Sequence, residues 1–290
     1  MFGCLFVEAD DTKMAMIVEN EEDAKKLQED IDNLTKWADV WQMHFNVGKC
    51  KVMHIGNGNK RHDYFMNGTK LEEATVEKDL GVWVHNSMKP STQCEYAARI
   101  ANVTLGKILR SFHYRKTSYL VPLYKTFVRP QLEYAAAAWS PWLQKDRDAL
   151  EKVQKRLIRS LSDKRGDEYE ERLKNAGLTT LQERRQRGDM IQVFKSVKGF
   201  SRVNANNWFD LKDPNNLRPT RANTMIDESG ESRKSFIMNL PPCRLDIRKH
   251  FFCARVVREW NSIPEVAKNA NSINEFKNLY DGFESSKNNT

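Results

Sequence analysis

In the stretch "CLFVEADDTKMAMIV" (Cys4–Val18), two aspartates, Asp10 and Asp11, stand side by side between two apolar runs. Adjacent carboxylates on a tight turn are hard oxygen donors, the kind that Mg2+ or Mn2+ takes. Two such ions stabilise both the attacking and the leaving oxygen of a phosphoryl transfer, so Asp10 and Asp11 are the candidate catalytic and metal-binding residues. Aspartate is also a common turn former, since its side chain bonds nearby backbone, and taken alone the pair is accounted for by the turn. The other candidates are cations. Lys49, with Lys51 in "GKCKV", could reach a phosphate, although lysines alternating on a strand also mark its wet face. Lys152, Lys155, Arg156 and Arg159 form one side of a basic helix that could lie against a nucleic-acid duplex, or simply face water. Elsewhere the six His lack metal-ligand spacing, no Ser/Cys/His triad is readable, and no glycine-rich phosphate loop is present.

The aspartates fall where Leu5–Val18 reverses, in a strand, turn, strand pattern. "NEEDAKKLQEDIDNLTKWADVWQMHF" then predicts a long helix capped by Asn20, with an apolar stripe Ala24, Leu27, Ile31, Leu34, Ala38, Trp41, Phe45. Gly48–Gly56 reads as a strand, Asn67-Gly68 as a hairpin turn, and Lys78–Val84 as a further strand. Residues 1–88 are therefore an α+β unit, an antiparallel sheet with a packed helix. After Pro90 the pattern becomes mainly α-helical. Gln93–Phe112 is expected to face Ile100, Val103, Ile108 and Phe112 inward. Ser118–Trp139 is helix-like but interrupted by Pro122 and Pro130. Asp146–Leu161 carries the stripe Leu150, Val153, Leu157, Ile158, Leu161, with the four cations off it. Helical patterning continues through residues 166–290, broken by a polar loop at 201–234 and ended by a tail, "ESSKNNT", expected to be disordered.

Of the 290 residues, 40% are hydrophobic and 30% charged, which fits a globular chain rather than a disordered one. No apolar run is long enough for a membrane helix, and no signal peptide is visible. The five scattered cysteines form no CxxC, which argues against zinc or a disulfide framework and for a reducing compartment. The expected location is intracellular, in cytoplasm or nucleus. Net charge is +8, unevenly spread: residues 1–36 hold 4 Lys/Arg against 10 Asp/Glu, residues 99–165 hold 15 against 5. That basic middle suits a polyanion partner.

Taken in order, "ADDTKMA", "LTKWADVWQMHFNVGKCKVMHIG", "EKDLGVWV", "YKTFVRPQLEYAAAAWSPWLQKDRDALEKVQKRLIRSL", "YEERLKNAGLTTLQERRQRGDMIQVFK" and "IRKHFFCARVVREWNSIP" resemble the C-terminal half of reverse transcriptases from LINE-type (non-LTR, jockey-like) retrotransposons, over about Cys4–Tyr280. The resemblance implies that residues 1–88 are part of a polymerase palm, that Asp10 and Asp11 bind Mg2+ or Mn2+ there, and that Lys49 lies near the nucleotide. Lys78–Val82 falls where such polymerases place the hairpin supporting the primer end. Residues 89–165 would be a thumb-like basic region holding RNA and the RNA–DNA template–primer duplex, and 166–290 a C-terminal helical region. The implied reaction is RNA-directed DNA synthesis. Two departures stand out: Glu8 replaces the family's aromatic two positions before the first aspartate, and the chain begins almost at this motif, without the fingers and the upstream palm aspartate. The expectation is a fragment inactive by itself, or a non-catalytic nucleic-acid-binding or helical interaction protein derived from it.

Overall fold

The computed structural model describes residues 4–8, 11–163, 168–212 and 236–287, with backbone alone for 4–8 and 11. The chain divides into two compact units, Met1–Thr92 and Gln93–Thr290.

In the first unit, β1 (Cys4–Glu8) pairs antiparallel with β2 (Asp11–Ala15), from Cys4 opposite Ala15 to Glu8 opposite Asp11. Asp11 is thus the first residue of the second strand, and Asp10 lies outside the described residues. Helix α1 (Glu21–Val40) begins at Asn20, whose side chain accepts the Asp23 N–H, and three acids occupy its first turn, where the helix dipole favours them. Ala24, Ile31 and Ala38 are buried. Trp41, expected to continue the stripe, is 65% exposed, because the helix stops at Val40. The Gln28 side-chain amide clamps the Phe65 backbone from both sides, at 2.8 Å each way. Around it Ile31, Tyr64, Met66 and Leu71 form a small core, joined by Leu27, Phe45, Cys50 and Val52.

The strands that follow differ from expectation. Gly48–Gly56 is not one strand: residues 47–49 form a 3₁₀ turn, closed by Cys50 N–H to the Val47 carbonyl, and only β3 (Lys51–Val52) is extended. Local i→i+3 bonding there takes donors a ladder would use. Two-residue strands β4 (Phe65–Met66) and β5 (Thr69–Lys70) flank Asn67-Gly68, whose positive φ values of 51° and 71° suit a tight hairpin turn. β6 (Glu72–Glu73) runs parallel to β3, and β7 (Val76–Asp79) and β8 (Val82–His85) form another hairpin. Lys78–Val84 is therefore two strands, not one: the chain reverses at Leu80-Gly81 with φ of 46° and 83°. Gly81 adopts this freely, whereas Leu80 carries roughly 1–2 kcal/mol of left-handed strain. Instead of a single antiparallel sheet, the described residues hold four two-stranded ladders, one of them parallel.

The second unit is helical. Its first helix, α2 (Ser91–Ser111), buries Ala97, Ala101, Leu105 and Ile108, while Val103 and Phe112 are 49% and 45% exposed. Its inner face is Ala97, Ala101, Leu105 and Ile108, so Ile108 faces inward as expected whereas Val103, and Phe112 just past the helix end, do not. α3 (Thr117–Leu123), a π-helical stretch Tyr124–Val128, α4 (Arg129–Glu133) and α5 (Ala136–Trp139) follow. Pro130 has no N–H for the usual i→i−4 bond, which accounts for the ladder widening just before it. α6 (Gln144–Ser160) buries Leu150, Val153, Leu157 and Ile158. α7 (Tyr169–Asn175) and α8 (Leu181–Val197) come next, the latter opened by a reciprocal Thr180/Glu183 capping box.

After α8 come α9 (Asp246–His250), α10 (Phe252–Ser262), α11 (Glu265–Lys268) and α12 (Ile273–Lys287). They close a core with α8 through Phe194, Trp260, Phe276 and Tyr280. Phe194 and Phe276 stack at 4.3 Å between ring centroids. Within the polar 201–234 stretch, Phe209 is buried and Leu211 bridges Met238, while 213–234 lie outside the described residues. α12 runs to Lys287, well into the tail expected to be disordered, because Phe276 and Tyr280 anchor it to that core. Among the described residues, no helix is long and apolar enough to cross a membrane.

Candidate nucleic-acid interface

The cations of α6 sit where the helix period puts them, opposite its buried stripe. Lys152, Arg156 and Arg159 are exposed, and Lys155 is half-buried with its ammonium 5.1 Å from the Tyr169 ring centroid. The buried side of α6 is held by polar bonds as well as by packing. Gln154, wholly buried, accepts from the Tyr124 hydroxyl at 2.9 Å and donates to Glu151 and the Thr179 carbonyl at 3.0 Å each. Glu151 also accepts from the Tyr169 hydroxyl at 2.5 Å and from the Leu181 N–H at 3.1 Å. Burial drives the Tyr124 and Tyr169 hydroxyls far above their ordinary range, so both stay protonated as donors.

On the outer side α6 meets α2. Arg156 Nη1 donates to the Asn102 carbonyl at 3.2 Å and to its Oδ1 at 3.3 Å. A Cβ added at the buried Gly106 would lie 3.5 Å from Arg156 Nη2 and 3.9 Å from Arg110 Nη1. Two guanidinium groups therefore converge above the one residue of α2 that has no side chain. Lys107 and Arg110 are exposed, and among the described residues neither they nor Lys152 make an ion pair. Like charges gathered without a carboxylate repel one another, and an arriving phosphate relieves that repulsion. Arg110 and Lys107 went unremarked in the sequence; the signal was there in their i, i+3 spacing on a helix.

Lys49, by contrast, is exposed in the 3₁₀ turn of the first unit, and Lys51 is taken up by Glu77 at 3.3 Å and Glu72 at 3.7 Å. The mixed "ERRQRGD" segment is also used structurally. Arg184 binds Glu133, Arg187 binds Asp281 through paired contacts of 2.6 and 2.8 Å, and Asp189 binds Arg255 at 2.9 and 3.0 Å. In "RKHFF", His250 stacks on Trp142 at 4.8 Å, and Phe252 packs on the second unit's core.

Asp10 lies outside the described residues, and Asp11 is described by its backbone. The hairpin register pairs the backbone of Glu8 with that of Asp11, and in sequence Glu8, Asp10 and Asp11 are three carboxylate residues within four positions. As a donor set, that chemistry suits a hard divalent cation. Among the described residues no group of three or more His, Cys, Asp or Glu is arranged to hold a metal.

Over 155 residues, 52% of this chain, the sequence is 26% identical to the RNA-directed DNA polymerase from mobile element jockey of Drosophila funebris. The match covers 17% of that polymerase's length. No protein-family model and no solved structure matches the chain.

Proposed function

We propose that this chain is part of a non-LTR retrotransposon reverse transcriptase, and that its helical unit holds the phosphate backbone of an RNA–DNA template–primer duplex. The observation that carries this reading is the convergence of Arg110 and Arg156 over Gly106, with Lys107 exposed beside it on α2 and Lys152 and Arg159 exposed on the α6 helix that bears Arg156. The distant similarity to an RNA-directed DNA polymerase supports a nucleic acid as the polyanion. In this reading Asp10 and Asp11, with Glu8 beside them, hold Mg2+ or Mn2+ at the end of the β1–β2 hairpin. The ions would supply charge stabilisation for nucleotidyl transfer. Lys49 is the proposed nucleotide-proximal cation.

The proposal is tested by titrating the purified 290-residue chain against a blunt RNA–DNA hybrid across a salt series. Binding that weakens linearly with the logarithm of salt is expected. Absence of binding at low salt would leave a helical interaction protein instead. Primer extension with Mg2+ or Mn2+ separates the remaining pair: nucleotide incorporation would overturn the expectation that this chain alone binds without polymerising.

A further inference from the structure

From the end of α2 into the first turn of α3 the chain displays aromatic rings to water. Tyr114 is 77% exposed, Tyr119 58% and Phe112 45%. Rings this large are ordinarily covered, and a group of them left bare marks a contact surface. Their setting is basic: from Tyr96 to Leu132 the sequence has seven Lys/Arg and not one Asp or Glu. Arg110, Arg115 and Lys116 alternate with the rings and are exposed.

This segment is also anchored. The Arg115 carbonyl accepts the Ser162 N–H at 2.8 Å, and the Thr117 N–H and hydroxyl donate to Asp163 at 2.9 and 2.8 Å. These bonds tie the connection to the C-terminal end of α6, the helix that bears Arg156 and Arg159. The rings are therefore held on the same unit as the phosphate-facing cations.

From this we propose that Phe112, Tyr114 and Tyr119 form a stacking platform for unpaired bases, so that the helical unit takes a nucleic acid with a single-stranded segment. The inference rests on the duplex-holding reading above and names its substrate more narrowly. Along its length a duplex presents its bases edge-on and already stacked, and offers these rings only its two terminal pairs. An unpaired strand offers π-faces at the spacing of its phosphates, which Arg110, Arg115 and Lys116 can neutralise. An acidic peptide would satisfy the cations but leave the rings without flat partners.

The test compares three probes: a blunt hybrid, the same hybrid with a ten-nucleotide single-stranded overhang, and one whose overhang is abasic. The wild-type chain is expected to bind the base-bearing overhang best and to quench a 2-aminopurine placed in it. Tyr114→Leu and Phe112→Leu are each expected to weaken that probe about 10-fold, while leaving the blunt and abasic probes within about twofold. The rings are exposed, so the variants should fold, and circular dichroism confirms it. Equal binding of abasic and base-bearing overhangs, or an equal loss on the blunt hybrid, would overturn the platform while the duplex reading stands. Failure of all three probes to bind would overturn both.

Discussion

The charge cluster over Gly106 permits a quantitative test. Consider the fourfold variant Lys107→Gln, Arg110→Gln, Lys152→Gln, Arg156→Gln. Each substitution removes a side chain that is exposed, and the three outside Arg156 have no ion-pair partner among the described residues. Surface changes of this kind cost little stability, typically within about 0.5 kcal/mol each. Arg156 is the exception to watch, since its bonds to Asn102 link α6 to α2. If each cation neutralises one phosphate, the slope of log K against log salt should flatten by about 3, at 0.7 to 0.9 per contact. Over a rise from 50 to 200 mM salt, the parent chain should therefore lose roughly 60-fold more affinity than the variant. Fluorescence anisotropy with a labelled blunt hybrid measures both slopes. As a control, Lys36→Gln with Lys60→Gln, exposed in the first unit, should leave the slope close to the parent's. A folded fourfold variant with the parental slope would refute the assignment of these four side chains to phosphate contact.

Three further outcomes follow from the packing. Gln154→Leu strands the Tyr124 hydroxyl, whose bond to Gln154 is buried, and should lower unfolding free energy by about 3 kcal/mol in urea denaturation; a change below 0.5 kcal/mol would show that the bond is not formed. Arg255→Ala leaves Asp189 almost fully buried without its cation and frees the Ala137 carbonyl, so a loss of about 3–5 kcal/mol is expected, partly restored by the double change Arg255→Met with Asp189→Leu. Hydrogen bonds from Thr117 hold the Asp163 carboxyl below its ordinary value of 3.8. Its contribution is therefore fully present above that value and is lost as pH falls through the lowered folded-state pKa. Exchange of the Thr117 amide should be slow at neutral pH and become fast in Asp163→Ala; equal rates would remove Asp163 as the anchor.

The sequence was most legible where polarity segregates cleanly around a helix. On α6 the stripe Leu150, Val153, Leu157 and Ile158 is buried and Lys152, Arg156 and Arg159 are exposed, because a 3.6-residue period leaves little choice. On α2 size was a poor guide: Val103 faces water, as does Phe112 just past the helix end, while the small Ala97 and Ala101 join Leu105 and Ile108 on the buried face. The Leu80-Gly81 reversal was hidden inside an apolar run, because Leu is an unusual residue at positive φ. The aromatic platform went unread because single exposed rings have no periodicity, although the 37-residue absence of acids around them was visible. For the hairpin, residue types pointed to Asp10 and Asp11, but only backbone pairing showed that Glu8 stands opposite Asp11.

The bonds around Gln154 have one more effect. A helix held only by greasy contacts can rock about its own axis, and each residue of slip swings its side chains through about 100°. Gln154 lies between Lys152 and Arg156 in sequence and points the other way, so its bonds to Tyr124, Glu151 and Thr179 act as a rotational detent. The outer charges are thereby fixed in angle before any ligand arrives. Little orientational freedom of those charges then remains to be lost on docking.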